Sequence, residues 1–397
     1  MQYNRRQLDL ISAQAIHQNA ALNLNGLYSF PEPPDENLLR KSIQFVSDHF
    51  SSLNTVATFR EGKIVPTPTK EKLKIEAIDG YSMREQYDII YQQARVPFNL
   101  FAEPPFRAFL FKSDGCIDQM LLQFHHVASD WWSFRIIHQT LTEFYNSKGK
   151  FSSPIDNLKE YNDIHCDEHV DAVVEKFWKT QLQAGIFRES IVGKKGSSSK
   201  HLEFAICQDV APLEREAKRS SITFFEYLFL LYAEQLANSL KSDIIINVPV
   251  GNRNSGKFVS TVGYIMNVVP VRCVFHEGCL DRAATLSNLR TAIRYAETPR
   301  SVLANWSKQI LGDTDALFSF VFMFLRDNIG SMHMPANASF MRIYPGVDED
   351  AHVLTLRERD KALSAVIESK DCDPQVERAT DNFIKKIMER ANDSSFT

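Results

Sequence analysis

Two histidines stand side by side in QFHHVASDWWSF, residues 123–134: His125 and His126, with Asp130 four positions after the second. An imidazole titrates near neutral pH and is suited to accepting a proton there, while a nearby carboxylate can hold the ring or its backbone in place. A metal ion is a second option, because His126 and Asp130 would lie one turn apart on a helix. Zinc, however, takes three or four ligands, and the flanking sequence supplies no others at a recognised spacing. The third option is structural, a pair of core histidines followed by an aspartate that caps a helix. Spacing alone leaves all three open.

Other chemistries find less support. HCDEHVD, residues 165–171, sets His165 and His169 at i and i+4 around Cys166, Asp167 and Glu168. On a helix only His165, Glu168 and His169 would share a face, and such charge density is also that of a solvated connector. There is no GxGxxG, GKKGSSSK lacks the spacing of a nucleotide loop, and no GxSxG elbow occurs. The cysteines at 116, 166, 207, 273, 279 and 372 form no CxxC pair and read as free thiols in a reducing compartment. With 45 Lys plus Arg against 49 Asp plus Glu, no basic surplus exists to bind nucleic acid. The start, MQYNRRQLDLISAQ, breaks its apolar run with charge, unlike a secretory signal. The longest apolar stretches fall short of the roughly 20 residues that span a bilayer. These features predict a soluble, cytoplasmic protein without membrane, metal or covalently bound cofactor.

The elements that present the histidines follow from periodicity. FRAFLFK and IDQMLLQFHH read as strands joined across an SDG turn, so HHVASD ends a strand. SFRIIHQTLTEFYNSKG then places Phe134, Ile137, Leu141 and Phe144 at helical spacing. Strand ends and helix starts are where reactive side chains are commonly presented. Upstream, ENLLRKSIQFVSDHF and residues 83–95 read as helices, with LNTVATFREGKIV a hairpin between them. Downstream come the helical DAVVEKFWKTQL, the apolar ITFFEYLFLLYAEQLANSLK, the strand DIIINVPVGNR, a further strand within GKFVSTVGYIMNVVPVR, and ALFSFVFMFLRDN as a buried central strand. At 397 residues and 44% hydrophobic the chain exceeds one ordinary core. The expected class is α/β (α+β) in two lobes, residues 1–165 and 201–397, with a connector at 166–200.

Taken together, several stretches resemble the condensation domains of nonribosomal peptide synthetases. HHVASDWWS is similar to their HHxxxDG signature, VPFNLFAEPPFRAFLFK to the segment before it, and VPVGNRNSGKFVSTVGYIMNVVPVR to the glycine-and-arginine stretch of the second lobe. LFSFVFMFLRDN resembles the later motif that ends in Asn, HVLTLRERDKALSAVIESK the final strand pair, and EYNDI with FWKTQL the interlobe connector. The similarity runs in order over nearly the whole chain. It implies two chloramphenicol-acetyltransferase-like lobes in a V, with an active-site tunnel at the seam. The implied reaction joins an acyl or aminoacyl group, carried as a phosphopantetheine thioester on a carrier protein, to an amine. The arm belongs to the carrier. By the same resemblance His126 is the reaction centre, His125 mainly structural, and Asp130 a supporting group that pairs with an arginine of the second lobe, matched by Arg272. Trp131, Ser133, Tyr264 and Asn328 are the positions expected to line the substrate path.

The chain also departs from the family. Trp131 stands where the motif has glycine, and GNR at 251–253 stands where GR is usual. The indole would narrow the acceptor side, form a flat wall for the substrate or bar a carrier-bound acceptor, so the expected acceptor is a small amine or a second carrier protein, with the indole favouring the small soluble amine. The absence of attached modules leads to the expectation of a free-standing, monomeric enzyme. The competing readings are an ester-forming O-acyltransferase of the same superfamily and a catalytically silent module that only recruits carriers. The plant-type DFGWG motif is absent, and both His126 and Asp130 are present.

Overall fold

The computed structural model describes residues 2–69, 71–166, 170–183, 200–253, 256–314, 317, 319–326, 335–346, 352–369 and 373–392. In chain order, α1 (Arg5–His17), β1 (Asn23–Ser29) and α2 (Glu36–His49) lead into β2 (Thr55–Arg60), β3 (Lys63–Pro68), β4 (Ile75–Ile78) and α3 (Met83–Ala94). Next come β5 (Phe106–Ser113), β6 (Cys116–His125), α4 (Trp131–Asn146), α5 (Leu158–Ile164) and α6 (Ala172–Gln181). The chain continues through β7 (Lys200–Cys207), α7 (Ala211–Arg219), α8 (Phe224–Leu240), β8 (Ile244–Val250), β9 (Asn267–Cys273), β10 (Phe275–His276) and β11 (Cys279–Leu280). It ends with α9 (Arg282–Arg294), α10 (Arg300–Leu311), β12 (Phe320–Arg326), β13 (Ser339–Ile343), β14 (His352–Arg359), β15 (Ala362–Ser369) and α11 (Pro374–Asn392).

Two units share these elements. The first joins Met1–Glu168 to Gly251–Met266 and Asn328–Val347, and the second comprises His169–Val250, Asn267–Asp327 and Asp348–Thr397. In the first, the sheet order is β13-β1-β6-β5-β4, antiparallel except for β4 with β5. Its strands alternate as a two-sided sheet requires. Met120, Leu122 and Phe124 of β6 join the core that includes Leu39 and Ile43 of α2 and Ile137 and Leu141 of α4, while Leu121 faces Ile90 and Ala94 of α3. Because both faces are covered, β6 is buried along most of its length, and His125 closes a central strand. The hairpin into β6 turns at Asp114 and Gly115, both at positive φ, as the SDG turn predicts. Opposite Leu122 stands Gly26, where a Cβ would lie 2.8 Å from the rings of Phe134 and Phe340. Its bareness lets the first turn of α4 sit against the sheet.

The second unit orders its strands β7-β15-β14-β12-β8-β9, with β12 parallel to both neighbours. The expected buried central strand is there, buried at Phe320, Val321 and Phe322 and more open towards Arg326. The expected final strand pair is β14 antiparallel to β15. Thr223 caps α8 through a reciprocal pair of bonds with Glu226, and the helix is apolar around most of its circumference because it fills the core. Among the described residues, no helix is long and apolar enough to cross a membrane.

The mixed α/β class in two units agrees with the expectation from sequence. The boundary of the second lobe does not: residues 251–266, expected within 201–397, belong to the first unit. The hydrogen bonds of Arg253, Gly263, Ile265 and Met266 to the start of α4 hold them there. Strand β13 likewise extends the first unit's sheet beside β1.

Candidate functional site

The site is built where β6 stops. His125 ends the strand fully buried. Its Nδ1 accepts the Val127 backbone N–H at 3.0 Å, so Nε2 carries the proton and donates to Gln14 Oε1 at 3.1 Å. Gln14 is fixed in turn by donating to the carbonyls of Asn19 and Phe98. Burial, helped by the charges of His126 and Arg107, pushes the His125 pKa down to about 3. This is a neutral histidine that folds the loop back on itself.

His126 is placed differently. Its backbone N–H donates to the Leu22 carbonyl at 2.8 Å, and its ring meets Tyr264 edge-on, with centroids 5.3 Å apart. The side chain remains partly exposed. Nδ1 lies 2.9 Å from the Ser129 carbonyl oxygen, which can only accept, so Nδ1 holds the proton and Nε2 presents a lone pair. Burial lowers the pKa of this ring, and the Arg342 charge adds to that; Asp130 and the Ser129 carbonyl oppose it without reversing it. The imidazole is therefore neutral at pH 7 with its basic nitrogen available.

Asp130 caps α4 by accepting the Ser133 N–H at 2.8 Å, and its carboxylate is gripped by Arg253 at 2.8 Å on each oxygen. The N–H groups of Ile265 and Met266 also donate to it. Both side chains are buried, Arg253 at 4% exposure and Asp130 at 1%. Burial pushes the Asp130 pKa up, but Arg253 and the N–H donors outweigh it and hold the carboxyl below the ordinary range. A bidentate, fully hydrogen-bonded pair of this kind fixes the orientation of the loop that carries His126.

Several expected roles change here. Arg272 is not the partner of Asp130. It lies on β9 opposite Ile245, where it pairs with Asp243 at 2.7 Å and donates to the Thr180 carbonyl, all within the second unit. The physical reason is distance along the strand: the backbone of Ile265 and Met266 meets Asp130, and Arg272 is already well inside the second unit's sheet. Ser133 is not a lining residue. Fully buried, its Oγ donates to the Gly263 carbonyl and accepts from the Gly263 N–H and Arg253, which exhausts a hydroxyl. Gly263 comes this close because it lacks a Cβ, which would lie 2.5 Å from Leu158 Cδ1. Trp131, at the first helical position of α4, stacks on Phe134 at 5.8 Å and packs against the first unit's core. Trp132 donates to the Val259 carbonyl at 2.7 Å and adds a second clip between α4 and the 251–266 segment. Tyr264 does reach His126. Asn328 lies outside the described residues, as do Asp167, Glu168 and His169 of HCDEHVD. Among the described residues no group of three His, Cys, Asp or Glu side chains is placed to hold a metal ion.

Arg253, Gln7 and Gln14 escaped the sequence reading, though each left a trace. GNR occupies the place of the family's GR, and Asn4-x-x-Gln7 has the form of a capping box. Gln14 follows Gln7 by seven residues, on the same helix face. Gln7 donates to the carbonyl of Val127, so both glutamines of α1 brace the histidine loop.

The buried imidazoles also predict acid lability. His125 and His138, both held neutral with pKa values of about 3, leave the unfolded chain free to take protons below pH 6.5 that the native state refuses. Their stabilising contribution is complete above pH 6.5 and is lost as pH falls towards 3, at about 1.4 kcal/mol per pH unit for each ring. Urea unfolding at pH 7 and pH 5 should therefore differ by about 2 kcal/mol per histidine, and His138→Gln should shrink the difference. An unchanged difference in that variant would refute the assignment.

Comparison with known proteins came to the same region of fold space. The family model described as Condensation domain matches residues 9–336. Cyclosporin synthetase of Tolypocladium inflatum is 22% identical over 313 residues, 72% of this chain and 2% of that protein. The chain thus spans a few per cent of the length of such curated relatives. A mutant starter condensation domain of rhizomide synthetase, solved with C8-CoA and Leu-SNAC, superposes with a TM-score of 0.77 at 12% identity, over 100% of this chain and 95% of that one. SgcC5 from Streptomyces globisporus, solved with a naphthyl-substituted ethanediol and sucrose, gives 0.70 at 17% identity over 98% of both chains.

Proposed function

The chain belongs to the condensation-domain family, whose members are acyltransferases that form amide bonds, and we propose that it transfers an acyl or aminoacyl group from a carrier protein's phosphopantetheine thioester to a small amine. The observation that carries this reading is the His126 tautomer. With Nδ1–H committed to the Ser129 carbonyl, Nε2 is the free base. The amine nitrogen attacks the thioester carbon and gives up a proton to Nε2. The C–S bond then breaks, and the departing thiolate takes that proton from the imidazolium. Carbon–nitrogen bond formation is thereby balanced by carbon–sulfur cleavage, with the histidine returned to its starting state. Alignment of the two reactants contributes a further large share of the rate.

The test is reconstitution: an acyl-loaded carrier protein, the full chain, and a panel of amines and alcohols, with products read by mass spectrometry. Amide should accumulate at a rate well above the enzyme-free blank. Ester formation outrunning every amine would replace the amide reading with the O-acyltransferase one. Carrier binding with no turnover of any acceptor would mark a recruiting module instead.

A further inference from the structure

Phe340 and Arg342 alternate along β13, so their side chains leave the same face of the first unit's sheet. Phe340 identifies that face, because its ring packs on Tyr28, Phe134 and His138 beneath α4, whereas Ile343 joins Ile90 and Ala94 of α3 on the other. Arg342 stands opposite Gly26 of β1, and Gly26 opposite Leu122 of β6. Further along β6, Phe124 meets Phe134 edge-on from the same face, and His126 follows two residues later. Arg342 and His126 thus belong to one side of one sheet, at the end where α4 begins. Both are partly exposed, and the guanidinium is close enough for its charge to oppose protonation of the imidazole.

That charge is permanent, and among the described residues Arg342 makes no hydrogen bond or ion pair. The acids around it are absent or occupied. β1, β13 and residues 251–266 contain none. Asp118 of β6 accepts the Ser113 hydroxyl at the other end of the strand, Asp130 is held by Arg253, and Glu143 of α4 accepts from Gln139. An unpaired arginine here works against the reaction as drawn, because taking the amine's proton makes His126 a cation beside a fixed cation. A carboxylate brought in by a substrate would cancel that opposition and gain a partner suited to bidentate hydrogen bonding. The carrier's own phosphate does not serve, since it lies at the opposite end of the pantetheine arm from the sulfur. The anion therefore belongs to a reactant. An acceptor amine supplies it as an amino acid, and an acyl donor supplies it as a dicarboxylic acid held as its half-thioester.

We propose that Arg342 binds a substrate carboxylate beside His126, so that this enzyme selects an acidic reactant over its neutral counterpart. The proposal rests on the amide-forming reading above. Two matched pairs distinguish the sources: glycine against glycinamide with a butyryl thioester, and a succinyl against a succinamyl thioester with one neutral amine. Wild type should show the higher kcat/KM for the acid of one pair. Arg342→Gln should lower that acid-to-neutral ratio about 10- to 100-fold, the worth of a hydrogen bond to a charged group, and Arg342→Lys should restore part of it. The pair that responds names the reactant that carries the anion. Ratios unchanged in both pairs, or an equal loss on all four substrates, overturns the proposal; so does a wild type that prefers neither acid, a result that needs no variant to fold. A second arm needs no turnover. In calorimetric titrations wild type should bind N-butyrylglycine more tightly than N-butyrylglycinamide, or an N-succinyl amine more tightly than its succinamyl counterpart, and Arg342→Gln should lose the difference. Equal binding within both product pairs overturns the assignment. Failure of wild type to acylate any amine would instead count against the amide-forming reading, while the titrations still decide the carboxylate site.

Discussion

Replacing Arg253 with leucine is expected to lower the free energy of unfolding by about 3–5 kcal/mol, the cost of leaving a buried charge without its partner. The carboxylate left behind is that of Asp130, 1% exposed in the folded protein. Three backbone N–H groups would still point at it, but without the guanidinium burial dominates, and the Asp130 pKa should rise above its ordinary value. The sign of the pH dependence follows. A raised folded pKa means that the stability of the variant relative to wild type is best at low pH and is lost as pH rises through that pKa. Urea unfolding at several pH values measures both effects. Adding Asp130→Asn to Arg253→Leu should recover part of the loss, since it removes the orphaned charge. Arg272→Leu is the contrasting variant, because its pair with Asp243 is more open, at 19% and 12% exposure, and should cost less. A loss below about 1 kcal/mol for Arg253→Leu, or one equal to that of Arg272→Leu, would mean the bidentate pair is not what holds the loop.

That contrast also shows where the sequence stops being informative. The β5–β6 hairpin, the end of β6 at the histidines and the helix that follows are local patterns of period two and 3.6, and they stand where those periods place them. The choice between Arg253 and Arg272 is not local. Both lie in one stretch with a matching motif, and what separates them is that the chain between β8 and β9 joins the first unit for residues 251–266 and returns at Asn267. No periodicity encodes that excursion. Ser133 misled for a related reason: a hydroxyl near a reactive histidine resembles a substrate contact until its three hydrogen bonds are seen to lie within the protein. Trp131 illustrates the reverse. The glycine of the motif is not required by the backbone here, because the position is the first residue of a helix and its ring rests on Phe134.

His126→Gln is expected to reduce kcat by about 100- to 10,000-fold, the usual worth of a positioned general base, while leaving the protein folded. The fold should survive because the loop does not hang on this ring: Asp130, Arg253, His125 and the glutamines of α1 hold it independently. The pH profile separates a base from a group that merely positions substrate. Burial, with Arg342, sets the imidazole pKa below 6.5, so the basic form persists through neutrality and is lost only on the acid side. With an acceptor amine of low basicity, already neutral across the range, wild-type activity should be flat from pH 7 to 8 and fall on an acid limb below 6.5. His126→Gln should remove that limb along with most of the rate. Arg342→Gln takes away a charge that opposes the imidazolium, and should move the limb upward in pH. A variant at position 126 that kept wild-type activity within about threefold, or a residual rate that still fell on the same acid limb, would assign the proton transfer to another group.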